Sequence, residues 1–249
     1  MASSSFGQTA DHNAALKLYE LPTIKSSLLK CEVLNDTTTL ITLNAGLFCP
    51  ENNSWYHLDS SKLTFGISFF QKQELMGISY CDSLSSSIVL YSDNKIIKTI
   101  NLREKGLYDV HIISADSILY YGISSKKAFI VNLLTGETET NLIKLEKNVD
   151  DVFIDNTGFI YLLLDNNIFI YKQGFKPRLI FSLTDKIYGF TIDQNNNLYI
   201  SKKEGIFKYS SNTASLILPR AKGRIYIFDH MLYVIEVEKN SFIKYRLIN

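Results

Sequence analysis

The sequence predicts an all-β fold: a six-bladed β-propeller of four-stranded antiparallel blades, its ring closed by the N-terminal strand. Three observations predict it. The chain carries an internal repeat with a period of about 40 residues, the spacing of propeller blades. Within each unit, short β-branched and aromatic runs are divided by Asn, Asp, Ser and Gly clusters about every 8 to 12 residues. Helical periodicity is nearly absent.

The repeat is clearest in the C-terminal half. Asp155, Tyr161, Ile168, Phe169 and Tyr171 recur 38 residues later, without a gap, as Asp193, Tyr199, Ile206, Phe207 and Tyr209. Lys208-Tyr209 returns 36 residues on as Lys244-Tyr245. Upstream, Phe129 precedes Phe169 by 40 residues and Ile88 precedes Phe129 by 41. Turn chemistry agrees, since Asp155-Asn156-Thr157-Gly158, Ser92-Asp93-Asn94-Lys95 and Thr135-Gly136 supply residues that tolerate tight or left-handed turns.

Taken in chain order, residues 1–14 are small and polar and are expected to be a flexible segment, with a single propeller domain over residues 15–249. Residues 15–22 match the outer strands expected at 95–102, 141–145 and 178–183. The last unit runs out at Asn249 after three strands, so residues 15–22 are expected to pair with the strand at 242–246 and supply its fourth. This pairing also protects two sheet edges. The third strands fall at Trp55-Tyr56 and at residues 88–91, 129–131, 168–171, 206–209 and 242–245, which makes six blades. The fifth unit shows all four strands, at 188–192, 198–202, 206–210 and 214–218. Residues 28–83 offer about one strand too few for two complete blades, so an irregular first or second blade is expected, with five blades as the alternative.

Composition bounds the function classes. The 249 residues include 26 Lys and Arg, 25 Asp and Glu, and 46% hydrophobic residues, which fits a globular chain and excludes disorder for most of it. A net charge of +1 supplies no general field toward nucleic acid or anionic membranes. Apolar runs such as 159–164 are cut by Asp165 far short of the roughly 18 residues a spanning helix needs, so membrane insertion is not expected. The first ten residues lack a basic n-region and an apolar h-region. The compartment stays open: the chain is expected to be soluble, cytoplasmic as given and extracytoplasmic if a signal peptide has been removed. Cys31, Cys49 and Cys81 lack Cys-x-x-Cys spacing and are expected to be buried free thiols, a Cys31–Cys49 bridge staying open in an oxidising compartment.

Residues 190–200, Phe-Thr-Ile-Asp-Gln-Asn-Asn-Asn-Leu-Tyr-Ile, followed by Gly205-Ile206-Phe207-Lys208-Tyr209, resemble the repeat of two-component-regulator propellers and NHL-type propellers. Asp155 with Tyr161 and Asp229 with Tyr233 fit the same pattern more loosely. The resemblance implies a propeller fold and a habit of binding, not a reaction. The repeated Asp residues are expected to bond turn amides, and the repeated Tyr residues to pack between blades.

No Gly-x-Ser-x-Gly, His-Glu-x-x-His, P-loop or Gly-x-Gly-x-x-Gly motif occurs, so no catalytic residue is assigned and no cofactor is expected. The alternative is a metal-dependent hydrolase of the gluconolactonase type, with a divalent ion held in the channel. For it, Asp150-Asp151 is the one paired carboxylate near a channel mouth, and sequence neighbours on a strand face opposite ways, so a solvated loop is expected there. Of His12, His57, His111 and His230, only His111 falls on an innermost strand, where a core or turn role is expected; His230 is expected to be exposed. The single Trp55 argues against a sugar site repeated in each blade.

The loops from second to third strands and between blades emerge on one face and carry Lys126, Lys127, Lys202, Lys203, Arg220, Lys222 and Arg224. This basic rim, diluted by Asp150, Asp151 and Glu204, is the expected binding site for a carboxylate, a phosphate or an acidic protein surface. Nucleic acid is not expected, because the rim lacks interleaved aromatic residues. The sequence therefore reads as a non-enzymatic scaffold or sensor module, a monomeric ring that binds a protein partner or a small anionic ligand.

Overall fold

The computed structural model describes residues 17–21, 30–35, 38–43, 46–58, 62–93, 95–102, 106–122, 126–135, 138–144, 147–155, 157–172, 175–210 and 213–247. Residues 1–14 lie outside them, as do His12 and the side chain of His57.

Six four-stranded antiparallel sheets account for all the strands among the described residues. Blade 1 holds β2 (Cys31–Asn35), β3 (Thr38–Leu43), β4 (Gly46–Cys49) and β5 (Ser54–Leu58). Blade 2 holds β6 (Leu63–Phe70), β7 (Leu75–Cys81), β8 (Ser86–Ser92) and β9 (Lys95–Asn101), and blade 3 holds β10 (Tyr108–Ser114), β11 (Ser117–Gly122), β12 (Lys127–Asn132) and β13 (Thr138–Lys144). Blade 4 follows with β14 (Asp151–Ile154), β15 (Ile160–Leu164), β16 (Asn167–Tyr171) and β17 (Arg178–Ser182). Blade 5 is β18 (Gly189–Ile192), β19 (Leu198–Lys202), β20 (Gly205–Ser210) and β21 (Thr213–Pro219). Blade 6 is β22 (Arg224–Phe228), β23 (Met231–Glu236) and β24 (Ser241–Arg246), with β1 (Lys17–Glu20) as its outermost strand.

β1 pairs with β24 in the register Lys17↔Lys244 to Glu20↔Ser241, so the N-terminal strand closes the ring as the sequence predicts. Burial shows why the ring forms. Each inner strand is too apolar to face water, and six hydrophobic clusters fill the six seams between consecutive blades, including the seam of blade 6 with blade 1. That closing seam also carries a polar staple: Glu51 accepts from Thr39 N at 3.2 Å and from Thr39 Oγ1 at 2.5 Å, and lies 3.6 Å from Lys244 Nζ.

Two expectations are corrected. Trp55 and Tyr56 lie on β5, the fourth strand of blade 1, not its third; the third is β4. Residues 28–83 lack no strand. β4 is four wholly buried residues, Gly46-Leu47-Phe48-Cys49, without the alternation that marks a half-exposed strand. Blade 1 is complete but compact, and five blades are excluded.

Asp155 and Asp193 bond turn amides as their spacing implies, whereas Asp229 accepts no turn amide among the described residues. Asp155 Oδ1 accepts from Thr157 N at 2.8 Å and Phe159 N at 3.0 Å, and Asp193 Oδ1 accepts from Asn195 N and Asn197 N at 2.9 Å each. Tyr161 and Tyr199 donate their hydroxyls to Asp155 Oδ2 and Asp193 Oδ2 at 3.2 Å while their rings are buried between blades. Asp229 takes a left-handed conformation (φ 51°) beside exposed His230. Cys31, Cys49 and Cys81 are buried free thiols, so no Cys31–Cys49 bridge exists.

Candidate functional site at the channel mouth

The six blades share one register. Thr42, Ser79, Tyr121, Leu163, Ser201 and Ile235 on the second strands stand opposite Leu47, Ile88, Ala128, Ile168, Ile206 and Phe242 on the third. On the inner side the corresponding residues are Lys30, Gly66, Asp109, Asp151, Gly189 and Arg224. All six lie at or near the start of the inner strands, on the face from which the inter-blade connections emerge. One layer of the channel therefore reads Lys, Gly, Asp, Asp, Gly, Arg around the ring.

Lys30 Nζ lies 3.0 Å from Asp109 Oδ1, and Arg224 Nη1 lies 3.7 Å from Asp151 Oδ1. The first pair joins blades 1 and 3, the second blades 6 and 4. Each skips a blade, so both contacts run across the channel mouth. The skipped blades carry the glycines. A Cβ on Gly66 would stand 2.8 Å from Asp109 Oδ1 and 2.7 Å from Val110 N, and one on Gly189 would stand 2.8 Å from Arg224 Cα. Only glycine lets the neighbouring inner strand approach this closely.

The charges are buried, so partners must replace water. Lys30 Nζ also donates to Val110 O at 2.6 Å and lies 3.1 Å from His111 Nε2. Asp109 accepts from Val110 N and from the Tyr121 hydroxyl, each at 2.8 Å. Asp151 accepts from Val152 N at 3.1 Å, and Arg224 Nη2 donates to Asp150 O at 3.1 Å. Burial pushes the Asp109 carboxyl up, but Lys30, His111 and Arg224 outweigh it and hold the group well below the usual carboxylate range. Burial, aided by Lys30 and opposed by Asp109, lowers His111 to about 4, so its ring is neutral, with Nε2 set between the Lys30 ammonium at 3.1 Å and Asp109 Oδ2 at 3.4 Å. Burial raises Asp151 to about 6 against the pull of Arg224, and raises Glu32 to about 7 against Lys30.

These shifts fix a pH dependence. Glu32 and Asp151 have native values above their unfolded ones, so each adds stability as pH falls through its native value toward about 4. His111 has a native value below its unfolded one, so it removes stability between its ordinary 6.5 and about 4. Two gains against one loss leave the native state binding about one more proton than the unfolded chain in that window. We expect a higher melting temperature at about pH 5 than at about pH 7.5, and a smaller rise in Asp151→Asn. A melting temperature that falls steadily from about pH 7.5 to about pH 5 would contradict this balance.

Asp151 is therefore not part of a solvated loop, whereas Asp150 is exposed and its Oδ2 accepts from Asp165 N at 2.7 Å. Of the seven expected rim residues, only Arg224 belongs to the channel layer. Lys202 is drawn over the Phe207 ring at 4.4 Å, with Asp185 and Glu204 carboxylates at 4.0 Å. Lys222 is paired with Glu238 at 2.6 Å. Lys126, Lys127, Lys203 and Arg220 are exposed on the same face, on blades 3 and 5 and the blade 5 to blade 6 connection. Sequence reasoning missed Lys30, Glu32, Asp109 and Tyr121. Aligning the six units at their inner-strand starts would have exposed four charges and two glycines at one position.

Among the described residues, no three His, Cys, Asp or Glu side chains come together as a set able to hold a metal ion. The channel carboxylates Asp109 and Asp151 each face a buried cation, a donor set that does not fit a divalent ion. No described helix is long and apolar enough to cross a membrane.

The sequence matches no protein-family model and no curated protein. Its structure is similar to virginiamycin B lyase from Staphylococcus aureus, with 13% identity over 94% of this chain and 99% of that one, TM-score 0.64. It is likewise similar to a gluconolactonase from Xanthomonas campestris, with 11% identity over 94% and 90% of the two chains, TM-score 0.66. The WD40 β-propeller domain of Doa1 aligns over 95% of this chain and 98% of that one at 7% identity, TM-score 0.60. These likenesses establish the propeller fold.

Proposed function

We propose that the chain is a non-catalytic binding module that holds a protein partner or a small anionic ligand on the face where its inner strands begin. The neighbours in structure include enzymes and a WD40 domain, so fold alone does not choose between them. The observation that carries the reading is how the channel mouth spends its reactive groups. A general base needs a lone pair within reach of a substrate proton, and His111 Nε2 is already enclosed by Lys30 Nζ at 3.1 Å and Asp109 Oδ2 at 3.4 Å. Asp109 is given to Lys30, Tyr121 and a backbone amide, and Asp151 to Arg224. These groups tie inner strands together.

The rim around this mouth supplies the contact surface. Lys126, Lys127, Lys203 and Arg220 extend into solvent and suit carboxylate or phosphate groups. Replacing these four with Ser is expected to weaken binding of a poly-glutamate probe at low salt roughly tenfold or more, while the melting temperature moves by only about 2 °C. Unchanged probe affinity would remove the rim from the reading. Metal-dependent hydrolysis, favoured only by the likeness to gluconolactonase, is tested in parallel: an ion-selective rise in melting temperature with calcium, magnesium, manganese or zinc over EDTA would revive it.

A further inference from the structure

On the face opposite the channel mouth, a groove of about 270 Å³ opens between blades 2 and 3. Its walls are Leu75, Leu90, Ile97, Ala115 and Leu133, with Lys98 and the uncharged polar Gln73 and Ser92. Gln73, Ala115 and Leu133 lie at turns that end first or third strands, which places the groove on the face away from the basic rim.

A β-bulge brings Ile97 to the groove. Leu90 pairs with Lys98 and Tyr91 with Ile96, so Ile97 is the extra residue and its side chain is re-aimed into the groove. Leu75 and Leu90 belong to the buried seam of blades 2 and 3, yet Ile97 stays 56% exposed, so the apolar lining continues from the core to the surface unfilled. One charge sits in this lining. Lys98 is half-buried and its ammonium donates to the Leu133 carbonyl, and among the described residues no carboxylate is paired with it. Among the described residues, no carboxylate lines the groove. An ammonium held in an apolar wall favours an anion that brings its own apolar body.

We propose that this groove binds a small aliphatic monocarboxylate, its chain against Leu75, Leu90, Ile97 and Leu133 and its carboxylate on the Lys98 ammonium. The volume lies just below the usual range of about 300–1,000 Å³ for small-molecule sites, which sets the scale at a short chain rather than a long-chain lipid. The cation sets the headgroup: an alcohol of equal length keeps the apolar contact and loses the charge-assisted bond, and an amine meets repulsion.

The test titrates the full chain with octanoate, octanol and octylamine, followed by calorimetry and by methyl NMR of the leucines and isoleucines. Octanoate is expected to bind roughly tenfold or more tighter than octanol, and octylamine more weakly still. Methyl shifts should be confined to Leu75, Leu90, Ile97 and Leu133. Lys98→Met should abolish the preference for octanoate over octanol, Lys98→Arg should keep it, and Ile97→Glu, at an exposed position, should remove binding without unfolding the ring. Equal affinity for octanoate and octanol in the natural chain, full octanoate affinity in Lys98→Met, or methyl shifts elsewhere would overturn the proposal.

Discussion

Replacing Lys30 with Met is expected to lower stability by about 3–5 kcal/mol, because it leaves the Asp109 carboxylate buried with its principal cation removed. Lys30 and Asp109 are each 4% exposed, so water cannot take the ammonium's place. The loss is specific to breaking the pair. In Lys30→Met/Asp109→Asn no net charge is left unpaired: the Asn carbonyl can still accept from Val110 N in the Oδ1 position, and its amide NH2 in the Oδ2 position can donate to the Tyr121 hydroxyl, which turns from donor to acceptor. The double variant should therefore recover more than half of the lost stability, as measured by urea unfolding with an unchanged m-value. A single variant within about 1 kcal/mol of the natural chain, or a double variant worse than the single, would show that the channel pair does not hold the inner strands together.

Deleting residues 1–22 is expected to destabilise the whole ring by about 4 kcal/mol or more, summing about 2 for burying Leu21 and about 1 for each of several backbone bonds. Leu21 is buried in the seam of blades 6 and 1, and its amide donates to Asn240 O at 2.8 Å. Tyr19 packs on Phe242 with ring centroids 5.8 Å apart. Without β1, β24 becomes an edge strand whose Phe242, 0% exposed in the intact ring, loses part of its cover. Thermal unfolding, with hydrogen exchange at the β24 amides, reads both effects. A native melting curve in the truncated chain would contradict closure by the N-terminal strand.

The sequence by itself determined the ring. Its period, its strand-and-turn chemistry and the match of residues 15–22 to the outer strands are local properties, and local properties survive reading one residue after another. The recurrence of Asp155 and Tyr161 as Asp193 and Tyr199 was legible for the same reason, since each pair closes a turn within a few residues. β4 was not, because a short strand buried on both faces carries no alternation.

Only the tertiary structure decided the site. Lys30 and Asp109 are 79 residues apart and Arg224 and Asp150 are 74 apart, and nothing in the sequence pairs them until the ring brings inner-strand starts together around the channel. Asp151 reads as half of a solvated Asp-Asp pair, yet the strand's alternation sends Asp150 outward and Asp151 in toward Arg224. The basic rim was legible as composition but not as charge balance, because Lys202 and Lys222 meet carboxylates supplied by neighbouring turns. Period and turn chemistry are written along the chain, whereas the pairing of buried charges depends on which strands close around a common axis.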